Sequence, residues 1–120
     1  MKKILIIGDD STAMLLNAIM TRDRGRVETK ICTKGRKAVD VAKCYKPRLI
    51  VICGITTIPG IWGFVLIKEL RRRKCFNSAK ILLCSVKEAY GLRAYNMGVN
   101  DYLPKPFDVR EARERMLRLI

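Results

Sequence analysis

The sequence predicts an α/β fold in which a parallel sheet lies between two layers of helices. Residues 49–52 are four consecutive branched apolar residues, preceded by the helix-breaking Pro47 and followed shortly by Gly54. A short apolar run without alternation is typical of a strand that helices cover on both faces. Residues 4–7 form a second such run. Strand-like runs alternate with segments of helical periodicity along the whole chain, which is the pattern of a doubly wound sheet.

The first half of the chain contains two strands and two helices. The strand at residues 4–7 precedes a helix that extends to about Thr21, with an apolar stripe predicted to face the core, namely Leu15, Leu16, Ile19 and Met20. Val27–Cys32 alternates loosely, as an edge strand does. A second helix follows Gly35 and ends before Pro47.

The second half begins with the buried strand that follows Pro47 and continues with the same alternation. A third helix is predicted over residues 62–74, and residues 81–84 form a fourth strand. A weaker helix covers residues 88–97 and ends at Gly98, a favourable residue after a helix. Residues 101–103 form a fifth strand, and Asp108 caps a last helix whose predicted inward residues are Val109, Ala112, Met116 and Ile120.

Five strands and five helices in 120 residues predict a single domain, residues 1–120. Right-handed crossovers favour the flavodoxin-like strand order 2-1-3-4-5 at this length. In that order, the ends of strands one, three, four and five share one edge of the sheet. Asp9, Cys53, Ser85 and Lys105 should therefore converge there.

Composition excludes several classes of protein. The hydrophobic content is 49%, no apolar run approaches the length of a membrane span, and no signal peptide is expected at Met1. The five cysteines are odd in number and form no CxxC pair, which argues against a disulfide framework or zinc site and fits the cytoplasm. With no histidine, imidazole catalysis is excluded. No glycine-rich phosphate loop follows the first strand, so an enzyme using NAD or ATP is not expected.

Four segments together resemble the receiver domain of two-component response regulators. They are residues 3–10 (KILIIGDD), 58–60 (IPG), 83–85 (LCS) and 98–107 (GVNDYLPKPF). The last segment is the most specific, because its spacing of tyrosine, Lys-Pro and phenylalanine is a signature of the family. The resemblance covers the whole chain and implies the flavodoxin-like fold and a role in signal transduction.

The resemblance also implies a phosphorylation site. In that family, an aspartate at the end of the third strand accepts a phosphoryl group from a histidine kinase, and two acids after the first strand hold Mg²⁺. Ser85 matches the hydroxyl residue that contacts the phosphoryl group, and Lys105 matches the lysine that pairs with it. Tyr102 matches an aromatic residue that changes rotamer with the state of the site. Asp9 matches the second acid.

Two acids of that site are missing. Gly8 stands where the first acid is expected, and Asp10, as the next residue after Asp9, should point elsewhere. Counting forward from the start of the third strand places the acceptor at Cys53. Counting back from the IPG segment places it at Ile55, so the loop is two residues longer than usual. Neither position is acidic, and no Asp or Glu occurs between residues 40 and 69.

These losses predict a degenerate receiver that is not phosphorylated at the usual position. Phosphoryl transfer needs a carboxylate nucleophile and a metal ion, and Mg²⁺ prefers hard oxygen ligands. Mg²⁺ binding should therefore be weak or absent, with no other cofactor expected. Without phosphorylation, Tyr102 should pack in one rotamer. We expect a signalling module and not an enzyme.

The remaining unusual feature is charge, with 25 basic and 11 acidic residues and a net charge of +14. A basic surface is expected where the second and third helices lie side by side, formed by Lys34, Arg36, Lys37, Arg71, Arg72, Arg73 and Lys74. It is either a solvated face or a docking site for an acidic partner.

Three functions remain open. The first is a receiver-like module acting through a kinase, an output domain or another signalling protein. The second is a basic nucleic-acid-binding module on the same fold, which would contact phosphates. The third is a phosphoreceiver with an unrecognised acceptor. No membrane association is expected.

Overall fold

The structure, a computed structural model, describes residues 1–8, 11–22, 25–55, 58–86 and 88–120. Within them the chain forms one five-stranded parallel sheet. Its strands are β1 (Lys2–Ile7), β2 (Val27–Cys32), β3 (Leu49–Cys53), β4 (Lys80–Ser85) and β5 (Asp101–Pro104). Their order is β2-β1-β3-β4-β5, and every neighbouring pair is parallel. The predicted flavodoxin-like topology is confirmed.

Five α-helices connect these strands: α1 (Ser11–Thr21), α2 (Ala38–Tyr45), α3 (Gly63–Arg72), α4 (Glu88–Asn96) and α5 (Val109–Arg118). Two short 3-10 helices precede α2 and follow α3, at Gly35–Lys37 and Lys74–Phe76. The second helix therefore begins later than the position of Gly35 suggests. The cap predicted for the last helix is confirmed, since the backbone N–H of Arg110 donates to Asp108 Oδ1 at 2.7 Å.

The core has two layers because β1, β3 and β4 are covered on both faces. Ile4, Ile6 and Val51 pack towards α1 and α5. Leu5, Ile7 and Ile52 pack towards α2, α3 and α4. All five residues of β3 are fully buried, as expected for the central strand.

Two predicted inward residues are wrong. Leu15 on α1 is 44% exposed and Val109 on α5 is 45% exposed. In α1, Ala13 takes the buried position on the core-facing stripe, together with Leu16, Ile19 and Met20. In the described part of the chain, no helix is both long and apolar enough to cross a membrane.

Candidate functional site

The carboxyl ends of β1, β3, β4 and β5 meet at one edge of the sheet. Gly8 follows β1 and lies against Cys53, the last residue of β3. Cys53 pairs in register with Cys84, next to Ser85 at the end of β4. The backbone N–H of Lys105 donates to Ser85 O at 2.9 Å. These positions are therefore contiguous. Asp9 and Asp10, the acids of the expected site, lie outside the described residues.

Gly8 and Cys53 are packed too closely for a side chain at position 8. A Cβ built on Gly8 would lie 2.9 Å from Cys53 Cβ and 3.5 Å from Ala13 Cβ. Gly8 also has a φ of +152°, which residues with a Cβ rarely adopt. Its N–H donates to Cys32 O at 3.0 Å, which fixes the backbone against β2. The space that a metal-binding acid would need is therefore taken up by the contact between these two residues.

The two candidate acceptor positions, Cys53 and Ile55, lie in different parts of the core. Cys53 is fully buried with the residues beneath α1 and α5. Ile55 is 2% exposed and packs with the residues beneath α2, α3 and α4. The backbone holds both in place, because Gly54 N–H donates to Cys84 O and Gly63 N–H donates to Ile55 O, each at 2.7 Å. Only Cys53 lies beside Gly8 at the end of a strand.

The loop after β3 is attached to the short 3-10 helix that precedes α2. Gly35 N–H donates to Pro59 O at 2.9 Å, and a Cβ on Gly35 would overlap Ile61. Arg36 Nε donates to Gly60 O at 3.0 Å. Arg36, a residue of the predicted basic surface, thus also secures the loop after β3.

Tyr102 is packed inward and held by its hydroxyl group. The side chain is 8% exposed, and its O–H donates to Ser85 O at 2.9 Å. The ring lies against Gly91 of α4, where a Cβ would be 2.8 Å from Tyr102 Cδ1. The absence of a side chain at Gly91 thus makes room for the ring. Sequence patterns gave no sign of this contact, because an isolated glycine in a weak helix has many explanations.

Replacing Tyr102 with phenylalanine should lower the free energy of unfolding by about 1 kcal/mol, because a buried hydrogen bond is lost. The cost stays modest since Ser85 O keeps its bond from Lys105 N–H. Tyr95→Phe is the control: that hydroxyl donates to Asp101 Oδ1 at 3.0 Å in an exposed setting, so its loss should cost less. Urea unfolding of both variants measures the difference, and equal costs would contradict a special role for the inward hydroxyl.

An aromatic cluster joins the start of α3 to α4, and sequence analysis did not identify it. Trp62 and Tyr90 each meet the ring of Phe64 edge-on, with centroids 5.3 Å apart. The guanidinium of Arg93 lies 4.2 Å from the Phe64 ring centroid and 5.4 Å from that of Trp62. Cation–π contacts of this kind stabilise the position of α4. The helix α4, which packs against Tyr102, is therefore anchored to the segment that follows the loop after β3.

The predicted basic surface is divided between two edges of the sheet. Lys34 and Lys37 are exposed near the carboxyl edge, before α2, whereas Arg72 and Lys74 lie where α3 ends, at the opposite edge. The structure thus places these basic residues at opposite ends of two neighbouring helices, α2 and α3. Arg72 contacts Glu69 Oε2 at 2.7 Å and Arg73 lies 3.9 Å from it.

Arg71, a residue of the predicted basic surface, has a structural role. Its guanidinium donates to Gly98 O at 2.8 Å, to Phe76 O at 2.9 Å and to Asn100 Oδ1 at 2.8 Å. Burial lowers the pKa of Arg71 below its usual value. These bonds fasten the end of α3 to the segments before β4 and β5.

The described residues contain no group of three or more Cys, Asp or Glu side chains that could hold a metal ion. Cys53 and Cys84 are neighbours at the site, but thiols are soft ligands that do not suit Mg²⁺. What the described edge offers is backbone hydrogen bonding, two buried thiols and the hydroxyl of Ser85, which is 4% exposed. This set lacks a carboxylate that could act as a phosphoryl acceptor.

Comparisons with known proteins identify the family of this fold. Residues 4–117 match the response regulator receiver domain family. The chain is 33% identical over 109 residues to the chemotaxis protein CheY of Thermotoga maritima, covering 88% of this chain and 87% of that protein. It is 27% identical to the Bacillus subtilis alkaline phosphatase synthesis transcriptional regulatory protein PhoP over 99% of this chain, but it spans only 48% of PhoP's length.

A solved structure shows the same fold. The signal receiver domain of a response regulator from Bermanella marisrubri superposes with a TM-score of 0.81 at 30% identity, covering 98% of this chain and 96% of that one. Together with the family match over residues 4–117, this similarity extends across the sheet and all five helices. The chain belongs to the response regulator receiver domain family of two-component signalling.

Proposed function

We propose that this receiver transmits a signal through protein contacts without being phosphorylated at the family's usual position. The observation that carries the proposal is the contact between Gly8 and Cys53, where the resemblance places two carboxylates. Phosphoryl transfer at the family's usual position uses a carboxylate nucleophile, and the developing charge is stabilised by a cation. A glycine and a buried thiol supply neither.

Cys53 is the position that corresponds to the acceptor. It ends β3, pairs with Cys84 and touches Gly8, whereas Ile55 packs into the opposite half of the core. With Asp9 as the one acid carried over from the family's pattern, the site has too little negative charge to hold Mg²⁺ well. Lys105 keeps its place beside β4 through its backbone bond to Ser85 O.

The inward position of Tyr102 supports a fixed output surface. In a phosphorylated receiver this aromatic residue responds to the site, but here the ring is enclosed by Gly91 and its hydroxyl is bonded to Ser85 O. A single packed rotamer would keep the outer face of α4 constant. The partner would then recognise one state, and the cell would control the signal through the amount or location of either protein.

Exposed apolar side chains provide surfaces for such a partner. They lie on the helices and loops that follow the strand ends, and include Trp62, Val65, Val86, Leu92 and Tyr95. Aromatic and aliphatic residues of this kind form the centres of protein interfaces. We infer that the partner is a kinase, an output domain or another signalling protein. None of the five cysteines forms a disulfide, which supports a cytoplasmic setting.

Treatment with acetyl phosphate and Mg²⁺ tests the proposal. We expect the intact mass to remain unchanged, while a receiver with a carboxylate acceptor, treated in parallel, gains an acid-labile phosphoryl group. A phosphoryl adduct on this chain would sink the proposal. Mapping it to Asp9 or Ser85 would then identify an unrecognised acceptor, which is the competing function.

A further inference from the structure

The amino ends of four neighbouring strands form a row of basic residues on the side of the sheet opposite the site. Lys2 begins β1, Arg26 precedes β2, Arg48 precedes β3 and Lys80 begins β4. Backbone hydrogen bonds join them directly: Lys2 N–H donates to Arg26 O at 3.1 Å and Lys80 N–H donates to Arg48 O at 2.9 Å. We call these four residues, together with Lys46, which follows α2, the basic edge.

The side chains of the basic edge are all exposed to solvent. Within the described ranges, none of the five forms an ion pair. Two cavities open there, of about 660 and 450 Å³, and both are lined by Lys2 and Arg48. Among the described residues, no Asp or Glu side chain lines either cavity. Within the described residues, the edge is therefore a concave, positively charged surface.

Basic residues at the carboxyl ends of three helices add to the positive charge of this edge. Because the connecting helices run back across the sheet, their carboxyl ends reach the amino edge of the strands. Exposed basic side chains occur at three of them: Arg22 after α1, Lys43 in the last turn of α2, and Arg118 at the end of α5. Cations are favourable beside helix carboxyl ends because they offset the helix dipole. Lys46, the C-cap residue of α2, shares this reason for its charge, whereas the four strand-end residues do not.

We propose that the basic edge binds duplex nucleic acid through its phosphate backbone. Four strands spaced about 4.8 Å apart place the row over roughly 14 Å, enough to meet several phosphates of a duplex. No helix projects from the edge to enter a groove, so the contacts would position the duplex without reading bases.

Two other polyanions fit less well. A single strand would need aromatic side chains on which bases stack, and the exposed tryptophan, Trp62, lies near the loop at the opposite edge. An acidic protein would need an apolar centre within the charged rim. Of the exposed large apolar side chains of the described chain, Met1 lies at this edge and Tyr95 lies beside the start of β5, outside the four-strand row; the others lie on helices and on loops that follow strand ends.

Binding should be measured by fluorescence anisotropy with a labelled duplex of about 20 base pairs, between roughly 50 and 200 mM NaCl. Five neutralised phosphates give an expected slope of log K against log salt of about −4.5. The variant Lys2→Gln/Lys80→Gln should reduce this slope to about −2.7 and weaken binding roughly tenfold at the lowest salt.

The matched control is Lys34→Gln/Lys37→Gln, which removes the same two charges from the net +14 but at the opposite edge. It should change affinity less than about twofold. Equal losses in the two variants would show that net charge alone governs binding and would overturn the basic edge. Lys46→Gln/Arg48→Gln serves as a second edge variant if the first is poorly folded.

Two other outcomes would also overturn the inference. One is no duplex binding by the parent at the lowest salt, and the other is tighter binding to a polyglutamate peptide than to the duplex. The proposal does not depend on the phosphorylation test, because strands of five or six residues place the two edges about 15–20 Å apart. A phosphoryl adduct would leave the duplex measurements unaffected.

Discussion

Gly8→Asp, the substitution that restores a family carboxylate, should destabilise the chain by about 3–5 kcal/mol. Any side chain at this position meets Cys53 Cβ at 2.9 Å and must adopt an unfavourable φ of +152°. The new carboxylate would also lie against the buried residues of the core, which adds a desolvation cost. The melting temperature should fall by about 10–20 °C in thermal denaturation followed by circular dichroism.

The variants Gly8→Ala and Gly25→Ala separate the cost of the positive φ from the cost of the close contact with Cys53. Gly25 also has a positive φ, of +89°, but no atom of the described residues lies within 4 Å of a Cβ built there. Gly25→Ala should therefore cost about 1–2 kcal/mol from the backbone alone, and Gly8→Ala should cost more because it adds the contact with Cys53. If the two alanine variants lose the same stability, the inference that Gly8 packs closely on Cys53 is wrong. Adding Mg²⁺ should not rescue Gly8→Asp.

Gly91→Ala should destabilise the chain by about 1–2 kcal/mol, although the same change in most helices is stabilising. Alanine gains about 1 kcal/mol from its better helix propensity. Its Cβ would lie 2.8 Å from Cδ1 of Tyr102 and 3.0 Å from Cγ, atoms near the base of a ring held at its far end by Ser85 O. The ring must therefore shift and lose part of its packing or its hydrogen bond.

The control makes the same Gly91→Ala substitution in a variant that lacks the Tyr102 ring. In a Tyr102→Ala background, Gly91→Ala should become stabilising by about 0.5–1 kcal/mol, because only helix propensity remains. The difference between the two backgrounds is the coupling between α4 and the tyrosine, and urea unfolding of the four proteins measures it. A coupling of zero would mean that Gly91 does not fix the rotamer of Tyr102.

The strands and their order were predictable because burial leaves a local trace in the sequence. The uninterrupted apolar run at residues 49–52 identified the central strand to within one residue, and the alternation at Val27–Cys32 identified the edge strand. Helix ends were less accurate. Gly35 precedes a 3-10 turn before α2 begins, and α3 ends at Arg72 because Arg73 is extended. Such ends depend on what the neighbouring loop offers to the last backbone groups.

The contacts that define the site depend on distances between segments and leave no local pattern. Gly8 was identified as a missing acid, but its packing on Cys53 follows from how closely β1 and β3 approach. Arg71 looked like one of several surface charges in a basic stretch, yet it makes three hydrogen bonds to other segments. Residue type alone does not distinguish a solvated guanidinium from one that fastens two loops.

The attachment of the loop after β3 has a consequence for the rate at which its amide protons exchange with solvent. The amides of Gly54 and Gly63 and the amide of Gly35 are all bonded to backbone carbonyls across this region. Exchange requires these bonds to open, so the three glycines should share the slow exchange of β3 and not the fast exchange of ordinary surface loops. On this timescale, the segments around the site behave as a continuation of the sheet.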